Sequence, residues 1–211
     1  MKSQRQTTRR PLGLGALALV VVALGAFALT SAVGDEAKHN FVGADKCKMC
    51  HKKEDAGAQY TIWAESKHAN AFAALATDEA KAVAKKMGIE DPQKSGKCLQ
   101  CHATAYNHGE ALAANIEADK DGAPLLTAEE GVSCESCHGA GADYKKKKIM
   151  EDRDASIAAG MNAEPKNECV KCHNDKNPTW DPEKYTLADG SKTGFDFDQA
   201  FDKIKHPVPE K

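Results

Sequence analysis

The chain has 211 residues, 41% hydrophobic, 28% charged and only 6% aromatic, with 29 basic against 31 acidic side chains and a formal net charge of −2. This length makes one domain or two small ones, and the charge balance excludes a polybasic nucleic-acid binder. Aromatics are too few for an ordinary core of large side chains, so the eight cysteines and eight histidines must explain how the chain is held.

Lys2, Arg5, Arg9 and Arg10 precede an uncharged run from Pro11 to Gly34, followed by Asp35 and Glu36. This is the basic and apolar layout of a secretory signal, with small residues Thr30 and Ala32 before a cut after Ala32. The run is also long enough to stay as a membrane anchor through residues 11–34, since a span needs ~20 residues. Residues 1–34 are therefore read as signal peptide or uncleaved anchor, and 35–211 as one exported, periplasmic domain. Cleavage removes four basic residues, leaving 25 basic against 31 acidic and a net charge of −6. That charge favours partner proteins with basic docking surfaces, not nucleic acid.

The next elements follow in chain order. His39 lies near the new N-terminus. Cys47-Lys48-Met49-Cys50-His51 is the first of four C-x-x-C-H motifs. A helical stretch is predicted over roughly 52–76, with His68, Phe72 and Leu75 at i, i+4 and i+7. Thr77 or Asp78 can cap a helix through Lys86, stopped by Gly88. Cys98-Leu99-Gln100-Cys101-His102 follows, then His108 six residues on. Thr127 and Glu130 have the spacing of a capping box. Cys134-Glu135-Ser136-Cys137-His138 is the third motif, followed by the lysine run 145–148 and Met150. Cys169-Val170-Lys171-Cys172-His173 is the fourth. Residues 174–194 read as loop. Asp196 can cap a last helix carrying Phe197, Phe201 and Ile204, with His206 and the helix-disfavouring Pro207 at its end.

All eight cysteines fall in these motifs, the attachment signature of c-type haem. Two thiols one helical turn apart can both reach the vinyl groups of a single porphyrin. The trailing imidazole then faces the iron as proximal ligand. Disulfides would not need four trailing histidines, and the remaining alternative is a pair of zinc sites on the same thiolates. The reading is four covalent haems c, with His51, His102, His138 and His173 as proximal iron ligands. His68, His206, His108, His39 and Met150 are candidate distal ligands. The porphyrins replace the missing core. The fold is mainly α with long loops, wrapped around four haems, with little or no β and at most a short hairpin.

With these residues in hand, the chain resembles the tetrahaem cytochrome c-554 family over roughly residues 41–210. The likeness rests on Phe41–His51, on Trp63-Ala64-Glu65-Ser66-Lys67-His68-Ala69, and on Gly131-Val132-Ser133-Cys134-Glu135-Ser136-Cys137-His138-Gly139. The fourth motif and Lys205-His206-Pro207 complete it. The resemblance implies a helical periplasmic fold with closely stacked haem pairs, and electron transfer as the activity. It implies that His68 ligates the third-motif haem and His206 the fourth. The family's first haem takes a histidine shortly after the third motif. Residues 139–150 contain none, so Met150 stands nearest that role and His39 competes for it. The family's second-motif haem is commonly left without a distal side chain, a site that His108 could close here.

The expected function is an electron carrier between redox partner proteins, without catalytic residues. Two alternatives stand beside it. One is an enzyme reducing nitric oxide or a similar nitrogen species at an open second-motif haem. The other is a subunit of an extracellular conducting filament.

Overall fold

The computed structural model describes residues 39–107, 110–111 and 115–208, all within a unit spanning Ala37–Lys211. Residues 1–34, expected to be a signal peptide or anchor, and the candidate ligand His108 lie outside the described residues. No helix among the described residues is long and apolar enough to cross a membrane.

Each C-x-x-C-H motif lies at the C-terminal end of a short helix. The first three are α1 (Ala44–His51), α5 (Gly96–His102) and α6 (Cys134–His138). The fourth is α9 (Lys166–Cys172), with His173 as its C-cap. A helix turn is what a C-x-x-C pair needs to present both thiols on one side. Between them lie α2 (Gln59–Ala64), α3 (Ala71–Ala74), α4 (Asp78–Lys86), α7 (Lys147–Met150) and α8 (Arg153–Ala158), with α10 (Phe197–Phe201) after the fourth motif.

Local chemistry placed two helices as expected. Thr77 Oγ1 accepts from the Ala80 amide to start α4, and Gly88 follows its end at φ +69°. Asp196 accepts from the Gln199 amide at 3.0 Å to start α10. That helix ends at Phe201, so Ile204 and His206 lie in the turn and tail beyond it.

The stretch 52–76 is not one helix. A 3-10 turn (Glu54–Ala56), α2 and α3 divide it, and His68 lies in the turn between α2 and α3. Here side chains and distant backbone compete with the helical ladder. Asn70 Nδ2 donates to Ser66 O, and the His68 carbonyl accepts from Val132 N at 2.9 Å. The capping box at 127–130 is absent too. Ala128–Glu130 is a 3-10 turn whose Glu130 carboxylate accepts from Ala44 N at 2.8 Å. Strand content among the described residues is small, with two hairpins rather than one: β1 (Tyr106–Asn107) with β2 (Glu110–Ala111), and β3 (Tyr185–Thr186) with β4 (Lys192–Thr193).

The protein's own apolar core is thin. Its cluster is Leu75, Leu99 and Ala103, with Phe72 and Tyr106 packed against it. The motif helices meet in a definite order: α1 packs on α6, α6 on α9, and α9 on α5. Along that line the motifs run first, third, fourth, second.

Candidate haem-binding site

The run before the third motif is held from two sides. Trp63 Nε1 donates to Val132 O at 2.8 Å, and Thr104 N donates to Gly131 O at 2.8 Å. Gly131 is at φ +66°, and a Cβ there would come within 2.6 Å of the His68 carbonyl. Glycine is the residue that permits this close backbone approach.

Glu135, the second residue of the third motif, is 3% exposed and reaches back to the first. Its carboxylate accepts from the amides of Val42, Gly43 and Gly141. With Glu130 on Ala44 N, two carboxylates from the third-motif region satisfy the amides at the start of α1. Anionic groups at a helix start also suit its dipole. The Cys47 thiol hydrogen-bonds Cys134, and Cys101 hydrogen-bonds Cys172. The first contact pulls Cys47 below the usual thiol range and the second brings Cys101 down to about 7. Their partners Cys134 and Cys172 are pushed up. Thiols of the first and third motifs thus meet, as do those of the second and fourth.

Burial pushes Glu130 up to about 7 from 4.5, with Glu135 and Asp45 adding to it against the Ala44 hydrogen bond. The folded chain therefore holds this proton more tightly than the unfolded chain. The resulting stabilisation is complete below about pH 4.5 and is lost as pH rises through 7. Glu135, also raised by burial, acts in the same direction. Glu130→Gln keeps an acceptor for Ala44 and should flatten part of this decline, read as thermal midpoints from pH 4.5 to 8. Midpoints that fall as steeply as in the parent would exclude Glu130 as the source.

Two imidazole pairs lie close together, with ring planes tilted by 58° for His68 and His173 and by 42° for His138 and His206. The rings of His68 and His173 are 6.1 Å apart, and those of His138 and His206 are 5.9 Å apart. With metal–nitrogen bonds of ~2 Å and ring centres ~1.1 Å behind the nitrogens, two imidazoles across one metal stand about 6 Å apart. Burial lowers all four histidines, which keeps them neutral, the form that binds a metal. The His206 Nδ1 is buried without a hydrogen-bond partner, an orphaned polar atom of the kind that a bound group can account for. Phe195 stacks on His173 at 5.5 Å. Among the described residues no cluster of three or more His, Cys, Asp or Glu could hold a metal ion. The donors fit haem.

This pairing is the reverse of the one the resemblance implied. His68 does dock on the third-motif run, but through its backbone, and its ring faces the fourth-motif histidine. His206 faces the third. His39 is elsewhere: its Nδ1 pairs with Asp143 at 2.6 Å, and its opposite edge lies against Gly160. The Met150 sulfur lies 3.9 Å from Ser156 Oγ. In the lysine run, Lys145 pairs with Glu117 at 2.8 Å and Lys147 with Glu151 at 3.6 Å. His51 and His102 each engage one acceptor, Gln59 Oε1 at 3.3 Å and the Ala71 carbonyl at 2.7 Å.

The chain is 30% identical over 209 residues to Cytochrome c-554 of Nitrosomonas europaea, covering 90% of this chain and 83% of that protein. The chain belongs to the cytochrome c-554 family. The family described as "Cytochrome c554 and c-prime" matches over residues 46–139 of this cytochrome, from the first motif to the end of the third. No solved structure matches significantly. Membership makes the protein a c-type cytochrome of mainly α fold that carries electrons on covalently bound haem.

Proposed function

We propose that this cytochrome is exported and carries electrons between redox partner proteins on four haems, one at each motif. The observation that carries this is the line of motif helices α1, α6, α9 and α5, with an imidazole pair at each of the two middle positions. Bound haem iron supplies reversible one-electron chemistry. The residues do the rest. Cys47, Cys50, Cys98, Cys101, Cys134, Cys137, Cys169 and Cys172 anchor the four groups, and His51, His102, His138 and His173 bind from the proximal side. His206 and His68 close the third and fourth sites, where burial excludes water and keeps each imidazole neutral.

The two ends of the line differ in exposure. At the first motif Cys50 is exposed and Met49 is 76% exposed, which makes that end accessible to a partner. The mature charge of −6, together with haem propionates, favours partners with basic docking surfaces and transient association.

The test is a haem assay with intact mass, followed by low-temperature EPR before and after reduction and exposure to nitric oxide. Four haems, with at least the third- and fourth-motif irons low-spin, are expected. Fewer than four overturns the reading of the motifs. Turnover of nitric oxide at a high-spin iron would make this family member an enzyme rather than a carrier.

A further inference from the structure

The turn before α2 aims one side chain at two ligand positions. Gly57 is at φ +96° and Ala58 at φ 51°, the one non-glycine residue with positive φ among the described residues. Backbone strain of this kind persists where the surroundings hold it, and it gathers at functional positions. The next residue, Gln59, is the beneficiary. Its Oε1 lies 3.3 Å from His51 Nδ1, and its Nε2 donates to Pro207 O at 3.0 Å and to Ala56 O. A Cβ on Gly57 would lie 2.6 Å from the Gln59 amide nitrogen and 2.7 Å from Pro207 O, so only glycine leaves room for this contact.

His51 is the first-motif proximal ligand. Pro207 follows His206, whose ring faces His138 of the third motif. We infer that Gln59 is a positioning residue that joins the proximal ligand of the first-motif haem to the distal ligand of the third-motif haem. The inference rests on the reading of His51 and His206 as iron ligands. As acceptor, Gln59 fixes the His51 tautomer with its proton on Nδ1, turns Nε2 to the iron and raises the basicity of the ring. As donor, it holds the tail that carries His206. His102 makes its corresponding bond to a backbone carbonyl, which no side-chain substitution can remove. The first-motif haem, unlike the second-motif one, therefore has a proximal hydrogen bond that a single substitution can change.

Two variants separate the two roles. Gln59→Glu keeps an acceptor for His51 and strengthens it, but has no proton to give to Pro207. Gln59→Leu loses both. In haem-loaded protein, one reduction potential should fall in Gln59→Glu and rise in Gln59→Leu, because a more basic ligand favours the ferric state. In both variants the low-spin EPR signal of the third-motif haem should diminish as His206 is released. A purely structural role would not move one potential in opposite directions. Parent-like potentials and EPR in Gln59→Glu with four haems attached overturn the inference, and that variant alone decides if Gln59→Leu does not mature. Fewer than four haems on the parent protein would instead overturn the reading on which it rests.

Discussion

Glu135→Ala should lower the stability of the haem-loaded cytochrome by on the order of 3–9 kcal/mol, a large share of the ~5–15 kcal/mol typical of a folded domain. The side chain is almost fully buried, and its two oxygens serve three backbone donors, on Val42, Gly43 and Gly141. Truncation leaves those amides without an acceptor, each costing ~1–3 kcal/mol, with water in the new space setting the lower end of the range. Glu135→Gln retains an acceptor oxygen and should lose much less. Guanidinium midpoints followed through the helical circular dichroism measure both. A Glu135→Ala midpoint equal to the parent's would mean that the carboxylate does not hold the first motif to the third.

The second large effect is spectroscopic. His68→Ala should turn one low-spin iron high-spin and raise its potential by on the order of 100 mV, within the ~0.8 V range that axial ligands control. The affected haem should be the one on Cys169 and Cys172, because the His68 ring faces His173 at 6.1 Å. A cycle with the fourth-motif thiols identifies it. In protein whose Cys169 and Cys172 are both alanine, His68→Ala should change nothing further. If the same substitution still removes a low-spin signal there, His68 serves the third-motif iron, as the family resemblance implied.

What the sequence made legible was local. The four motifs, the Thr77 cap with Gly88 and the Asp196 cap each depend on residues within a few positions, so their spacing carries the information. The misreadings were long-range. His68 and Phe72 have helical spacing, but the His68 carbonyl belongs to Val132, and no pattern inside 52–76 announces a partner sixty-odd residues away. Thr127 and Glu130 likewise have capping-box spacing, yet the carboxylate goes to Ala44. The roles of Glu135 and Gln59 are not marked in the sequence, because one sits in a variable motif position and the other at an ordinary helix start. The glycine two residues before Gln59 was the available signal.

The ties between the first and third motifs also bear on how the protein is made. Cys47 and Cys50 leave the ribosome eighty or more residues ahead of Glu130 and Glu135, which fix the start of their helix. Chains emerge N-terminus first, and contacts so distant in sequence are slow to form. The first attachment segment therefore stays open while the rest of the chain is delivered, and it becomes locked only when the third segment arrives. Biosynthesis has an interval in which the earliest thiols are accessible, and the same two carboxylates that steady the finished protein bring that interval to its end.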